Sequence, residues 1–269
     1  MKIDRSKLKS LIIPTEKLIG QNYPSLNQYK FKIGEPWLYC FGINHSSNPQ
    51  DKQFVELKDF IIEFIEKTNG QDNLCLLESN PLPKIEATNE EEIIKQFGER
   101  GLMVHFCQQN KIDYIFCEET TGQDINYLTE LSDRQTAELV IVGRSLASLV
   151  KKGVSWDLAL ERSYQSLNRE LLTDDDEPIT SLDEINNKIE ELRKKYQPEV
   201  TLEIFIDWLM SPMTTISPLA SLRRKLSDWR NFNLVQKIID KLDEDKNLLV
   251  VFGSAHIYQI KPVLESLTS

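Results

Sequence analysis

Histidine is nearly absent from this chain: three in 269 residues. Chemistry that needs imidazole must therefore draw on His45, His105 or His256. Cysteine is scarce too, with four residues and no CxxC pair. That spacing excludes the usual zinc-thiolate frameworks. Cys40, Cys75 and Cys117 lie in apolar, strand-like runs, where a free cysteine acts as a small hydrophobe. No apolar run approaches the length that crosses a bilayer, so no membrane partner is expected. The first residues, "MKIDRSKLKSLIIPTEKL", carry charges but no long apolar core and no small-residue cleavage site. They do not read as a signal peptide, and a cytoplasmic protein is expected. Positive charge is outweighed, with a net charge of -10. This argues against a nucleic-acid partner, which needs an electropositive surface. The acidic run in "TDDDEPITS" lacks the spaced ligands and glycine of a calcium loop. It reads as a solvated loop leading into the N-terminus of a helix, where acidic side chains suit the helix dipole.

Bulk apolar material is plentiful. Hydrophobic residues make up 40%, including eleven Phe, eight Tyr and four Trp, enough for a sizeable core. "YKFKIG" alternates as a half-buried strand does, Gly34-Glu35-Pro36 turns, and "WLYCFG" follows as a second strand. "FVELKDFIIEFIEKT" places Phe54, Leu57, Phe60, Ile61, Phe64 and Ile65 at helical spacing. "NLCLLES" is a short strand, "EEIIKQFGERGLMVHFCQQN" a helix, and "IDYIFCEE" a further strand. "NLLVVFGS" is the last strand, with a helix packing back over "IKPVLESL". The expected fold class is α/β: a central mixed, mostly parallel sheet with helices on both faces. The region of about 120–220 reads as a long helical insertion or lid between strands of that sheet. Its candidates include "LTELSDRQTAELVIVGRSLASLVKKG", "SWDLALERSYQSLNRELL" and "SLDEINNKIEELRKKY". The whole chain, 1–269, is read as one domain, because the last strand needs the first half of the sheet.

Two of the three histidines fall in matching spellings, Phe41-Gly42-Ile43-Asn44-His45 and Phe252-Gly253-Ser254-Ala255-His256. Each is a strand followed by GxxH, with the glycine expected to let the chain turn tightly. In open α/β sheets, ligands bind beyond the carboxyl ends of the strands. At those ends the sequence delivers Gly42 and His45, then Glu78 with Ser79-Asn80-Pro81, then Glu118 and Glu119 with Thr120-Thr121-Gly122, and finally Gly253, Ser254 and His256. If the strands are parallel neighbours, two histidines and at least one carboxylate converge on one rim. Adjacent strand residues face opposite ways, so only one of Glu118 and Glu119 can join them. His105, among apolar neighbours in a helix, reads as structural. Arg223 and Arg224 read as surface charges. Arg230 can hold a substrate carboxylate or an oxyanion, with Ser227 as a cap of its helix.

Three stretches carry a resemblance: "YKFKIGEPWLYCFGINHSSN", "LLES" with Glu78, and "RNFNLVQKIIDKLDEDKNLLVVFGSAHIYQIKPVLESL". Together they resemble the TraB/PrgY/Tiki group and, more distantly, the erythromycin-esterase-like and ChaN-like proteins. The resemblance covers about 30–120 and 220–269. It implies a rim site of His45, Glu78, Arg230 and His256, with Asn231 in support; Gly42, Gly253 and Glu118 are expected to support it from the strand ends. It further implies hydrolysis of an amide or ester bond in a small-molecule or peptide substrate. A divalent ion (Mn, Co or Zn) on His45, Glu78 and His256 would suit the metal-dependent members, since imidazole and carboxylate bind such ions. A His–Glu base pair needs no metal. The other open reading is a non-catalytic protein of the same fold, regulatory or binding haem or another small molecule; Tyr258 beside His256 keeps haem in view.

Overall fold

Five strands and ten helices make up the described residues of the computed structural model, which describes all of the chain except 1–6, 25, 79–80, 83–84, 86–88, 173–175 and 269. The strands are β1 (Asn27–Lys32), β2 (Trp37–Ile43), β3 (Asn73–Leu77), β4 (Asp113–Phe116) and β5 (Asn247–Gly253). They form one sheet in the order β1-β2-β5-β3-β4. β1 pairs antiparallel with β2, and every other pairing is parallel. This is the mixed, mostly parallel sheet expected. The hairpin turns at Gly34, whose φ of 62° is left-handed and suits glycine. The last strand in sequence is the middle strand in space, between β2 and β3. The two ends of the sequence are thereby joined in one layer.

Helices lie on both faces. In chain order they are α1 (Leu8–Leu11), α2 (Gln53–Thr68), α3 (Glu90–Asn110), α4 (Thr121–Leu131), α5 (Arg134–Lys151), α6 (Trp156–Leu172), α7 (Leu182–Tyr196), α8 (Leu202–Met210), α9 (Ala220–Asp243) and α10 (Ser254–Ser266). Alternate strand residues point to opposite faces, and both faces are apolar here. Tyr39, Phe41, Cys75, Leu77, Leu249 and Val251 pack with α2 and α3. Cys40, Leu74, Leu76, Leu248 and Val250 pack with α9 and α10, through Val235, Ile238, Ile239, Ile257, Ile260 and Val263. This explains why the strands read as nearly unbroken apolar runs. All four cysteines are buried thiols.

The described chain divides into two compact units. The first holds the sheet: Gln21–Glu118, the segment up to Pro14, and the chain from Trp229 onward. The second holds Thr15–Gly20 and Glu119–Asp228. It is helical: α4 to α8 and the start of α9. Two expectations change within it. The stretch from Leu128 to Gly153 is not one helix; Ser132 leaves helical geometry and Asp133 caps a new helix through Thr136 N. Arg223 and Arg224 are not free surface charges; they donate to the carbonyls of Met210, Pro212 and Thr214 and hold that loop. The capping box that starts α7, Ser181 with Glu184, follows the S-x-x-E signature. The acidic reading of "TDDDEPITS" falls partly on 173–175, outside the described residues. So does the reading of Ser79-Asn80 and of the first six residues.

Two further corrections bear on the site. α9 begins at Ala220, so Ser227 lies inside it and caps nothing. α10 begins at Ser254 rather than near Pro262, which sits inside the helix. Proline favours the first helical turn but is tolerated further in at the loss of one hydrogen bond. His256 therefore stands in the first turn of a helix, whereas His45 stands in the loop between β2 and α2.

Candidate active site

Parallel pairing of β2, β5 and β3 brings their carboxyl ends side by side. Gly42 is level with Phe252, and Leu77 with Val251. One residue beyond β3 is Glu78, and its carboxylate reaches across to the end of β5. Glu78 Oε2 accepts the backbone N–H of Gly253, the residue before α10. A carboxylate at a helix N-terminus is stabilised by the dipole and the exposed amides. Glu78 Oε1 lies 3.6 Å from His256 Nε2 and 3.9 Å from His45 Nε2. The two imidazoles thus address one carboxylate oxygen from either side. The three residues singled out at strand ends share one site.

Each imidazole is held from behind. His256 Nδ1 lies 2.5 Å from Asn231 Oδ1 on α9, and Asn231 is fully buried. His45 Nδ1 lies 2.5 Å from Glu99 Oε1 on α3, and Glu99 is buried as well. An ionised carboxylate and an amide oxygen only accept, so these contacts favour hydrogen on Nδ1 of each ring. Both Nε2 atoms are thereby turned to Glu78. The backing groups differ in charge. The bond to Glu99 pushes the His45 pKa up, burial opposes this, and the Glu78 and Glu99 charges add to the rise against Arg100. His256 is backed by a neutral amide.

Glu99 was missed by sequence reasoning. It follows Gly98, which breaks the helical path of α3 with φ 62° and ψ -150°. A Cβ at Gly98 would sit 2.8 Å from the Ser46 carbonyl oxygen, so the helix meets the His45 loop at a glycine. The signal was present in "QFGERG": an isolated glycine in a helical pattern, then an acid.

The two glycines of the echo do not turn the chain. Neither has a positive φ. Their role is clearance. A Cβ at Gly253 would lie 3.1 Å from Glu78 Oε2, 3.5 Å from His45 Nε2 and 3.6 Å from His256 Cδ2, inside the site. A Cβ at Gly42 would meet Ser254 Cα at 3.0 Å and Ile257 Cβ at 3.2 Å, so Gly42 lets α10 lie close on β2. Gly42 serves packing.

Arg230 pairs with Glu118, Nη1 to Oε1 at 3.2 Å, and both are largely buried. The pair links α9 to the end of β4, one residue before Asn231. Glu119 is buried, and Thr120 caps α4 in a capping box with Gln123. His105 is half-buried on α3, 2.8 Å from Gln109 Nε2. Tyr258 stacks on Tyr23 with ring centroids 5.7 Å apart.

The donor types suit a divalent ion, yet no group of three or more His, Cys, Asp and Glu among the described residues is gathered closely enough to hold one. No helix among the described residues is long and apolar enough to cross a membrane. No family model, curated protein or solved structure matches the chain.

Proposed function

We propose that the protein is a hydrolase of an amide or ester bond, of the TraB/Tiki type that its motifs resemble. One observation carries the reading: two imidazole Nε2 atoms, each with its Nδ1 already engaged, flank one oxygen of an oriented carboxylate. Water between them donates one hydrogen to His256 Nε2 and the other to Glu78 Oε1. Attack on the substrate carbonyl carbon moves a proton to His256. The tetrahedral oxyanion is met by positive charge from His45 as imidazolium. His45 then gives its Nε2 proton to the leaving nitrogen or oxygen. The unequal backing of the rings supports this division, because acid and base are separated when their surroundings differ in charge.

The test is turnover of a panel of carboxylic esters and peptide amides by wild type and His256→Ala, in chelator. Loss of a general base lowers kcat by roughly 100- to 10,000-fold. Equal turnover in the variant, or none by the wild type on any ester or amide, overturns the reading. Turnover that disappears in chelator and returns with Mn, Co or Zn would assign the site to metal chemistry.

A further inference from the structure

We infer that Glu99 is a positioning residue that fixes the tautomer of His45, so that the proton His45 exchanges is the one on Nε2. The inference rests on the hydrolase reading for its purpose, though not for its geometry. His45 is well exposed, with 60% of its side chain open to solvent, while the Glu99 side chain is 6% open. Among the described residues, the closest contact that orients the His45 ring is the 2.5 Å approach of Nδ1 to Glu99 Oε1. A carboxylate accepts only, so that contact commits hydrogen to Nδ1. Whatever proton His45 gains or gives must then be on Nε2, the nitrogen facing Glu78. A free imidazole would place its hydrogen on either nitrogen, and half of those states would turn no lone pair to the site.

The backbone is built for this contact. Continued helical geometry through Gly98 is abandoned for φ 62° and ψ -150°, a conformation a side chain strains to adopt. Any Cβ there would also strike the Ser46 carbonyl, one residue after His45. The break costs helix hydrogen bonding and delivers a buried carboxylate to a solvent-facing ring. Buried carboxylates are rarely left without a partner, and this one has the ring.

The experiment reads the ring directly. Long-range nitrogen–proton correlation of protein labelled at its histidines gives the tautomer of each ring, at a pH high enough for neutral imidazole. His45 is assigned by the pattern lost in His45→Gln. Wild type is expected to show His45 as the Nδ1–H tautomer. Glu99→Gln keeps an accepting oxygen and retains that tautomer, whereas Glu99→Ala gives a mixture or the Nε2–H form. An Nε2–H ring in wild type, or a Glu99→Ala spectrum identical to wild type, overturns the inference. If Glu99→Ala fails to fold, the wild-type and Glu99→Gln spectra still decide it. No substrate enters the measurement, so absent hydrolysis would count against the hydrolase reading alone. With a substrate in hand, Glu99→Ala should lower kcat at least 10-fold with KM nearly unchanged, and Glu99→Gln should recover part of the loss.

Discussion

Asn231 Oδ1 sits 2.5 Å from His256 Nδ1, while Asn231 Nδ2 is buried with no hydrogen-bond partner among the described residues. The side chain is thus half engaged. A buried unsatisfied amide donor costs about 1–3 kcal/mol. Asn231→Ala removes that penalty together with the bond to His256. His256 is partly exposed, so water can enter the space that the shortened side chain leaves beside it. We expect Asn231→Ala to change stability by no more than about 1 kcal/mol and to lower hydrolysis at least 10-fold. Denaturant melts beside kinetics check this; a large loss of stability would make Asn231 a structural residue.

The two glycines of the FGxxH spellings should separate function from packing. Gly253→Ala has an acceptable backbone, with φ -52°, but its methyl enters between Glu78 and the two rings. It should nearly abolish turnover with little change in Tm. Gly42→Ala meets backbone at Ser254 and side chains at Asn27 and Ile257, none of which can step aside freely. It should destabilise by about 1–3 kcal/mol, the ordinary cost of overpacking. The reverse pattern would reverse the two roles.

How far the sequence was legible follows from which signals are local. The strands were plain because doubly covered strands are unbroken apolar runs, as in "NLLVVFG". The convergence of His45, Glu78 and His256 could be read because parallel strands end at one edge, whatever their order. The place of β5 in the middle of the sheet was not written in any one segment. Glu99 was hidden because it reaches the site from the middle of α3, just after the break at Gly98, not from a strand end. Helix limits failed at two places: the last helix was read over "IKPVLESL" but begins at Ser254, and the break at Ser132 lay inside a continuous helical pattern. The glycine echo was seen but misassigned, since the same letters give clearance at one site for a helix and at the other for reacting groups.

Asp133 gives a pH test in the helical unit. Its Oδ1 accepts from Thr136 N and its Oδ2 from Thr136 Oγ1, both at 2.8 Å. These bonds hold its pKa below the ordinary 3.8. A lowered carboxyl pKa adds stability that is complete above 3.8 and is lost as pH falls through the folded value. Asp133→Ala should therefore cost about 1 kcal/mol at neutral pH, as loss of an N-cap does. The difference from wild type should shrink in acid. Asp133→Asn, an equally good cap, should show a small deficit at neutral pH that vanishes at low pH. Parallel melts across pH decide it; a deficit of Asp133→Ala that grows in acid would contradict the assignment.

The last expectation sets the rim against the core. His256 projects from the first turn of α10 with 23% of its side chain open. His256→Ala opens a space at the rim that water fills, and that water can serve Asn231 Oδ1. The loss of stability should be about 1 kcal/mol, the centre of the range for single substitutions. Val250 lies six residues earlier on β5 and is fully buried between Cys40 on β2 and Leu76 on β3. Val250→Ala leaves a cavity that no solvent reaches, and close-packed neighbours relax only in part, so the cost should be on the order of 2 kcal/mol. Turnover should follow the opposite order: Val250→Ala retains activity below its melting point, and His256→Ala loses it while folded. If His256→Ala melts at or below Val250→Ala, the ring holds the fold together and the catalytic assignment of His256 fails.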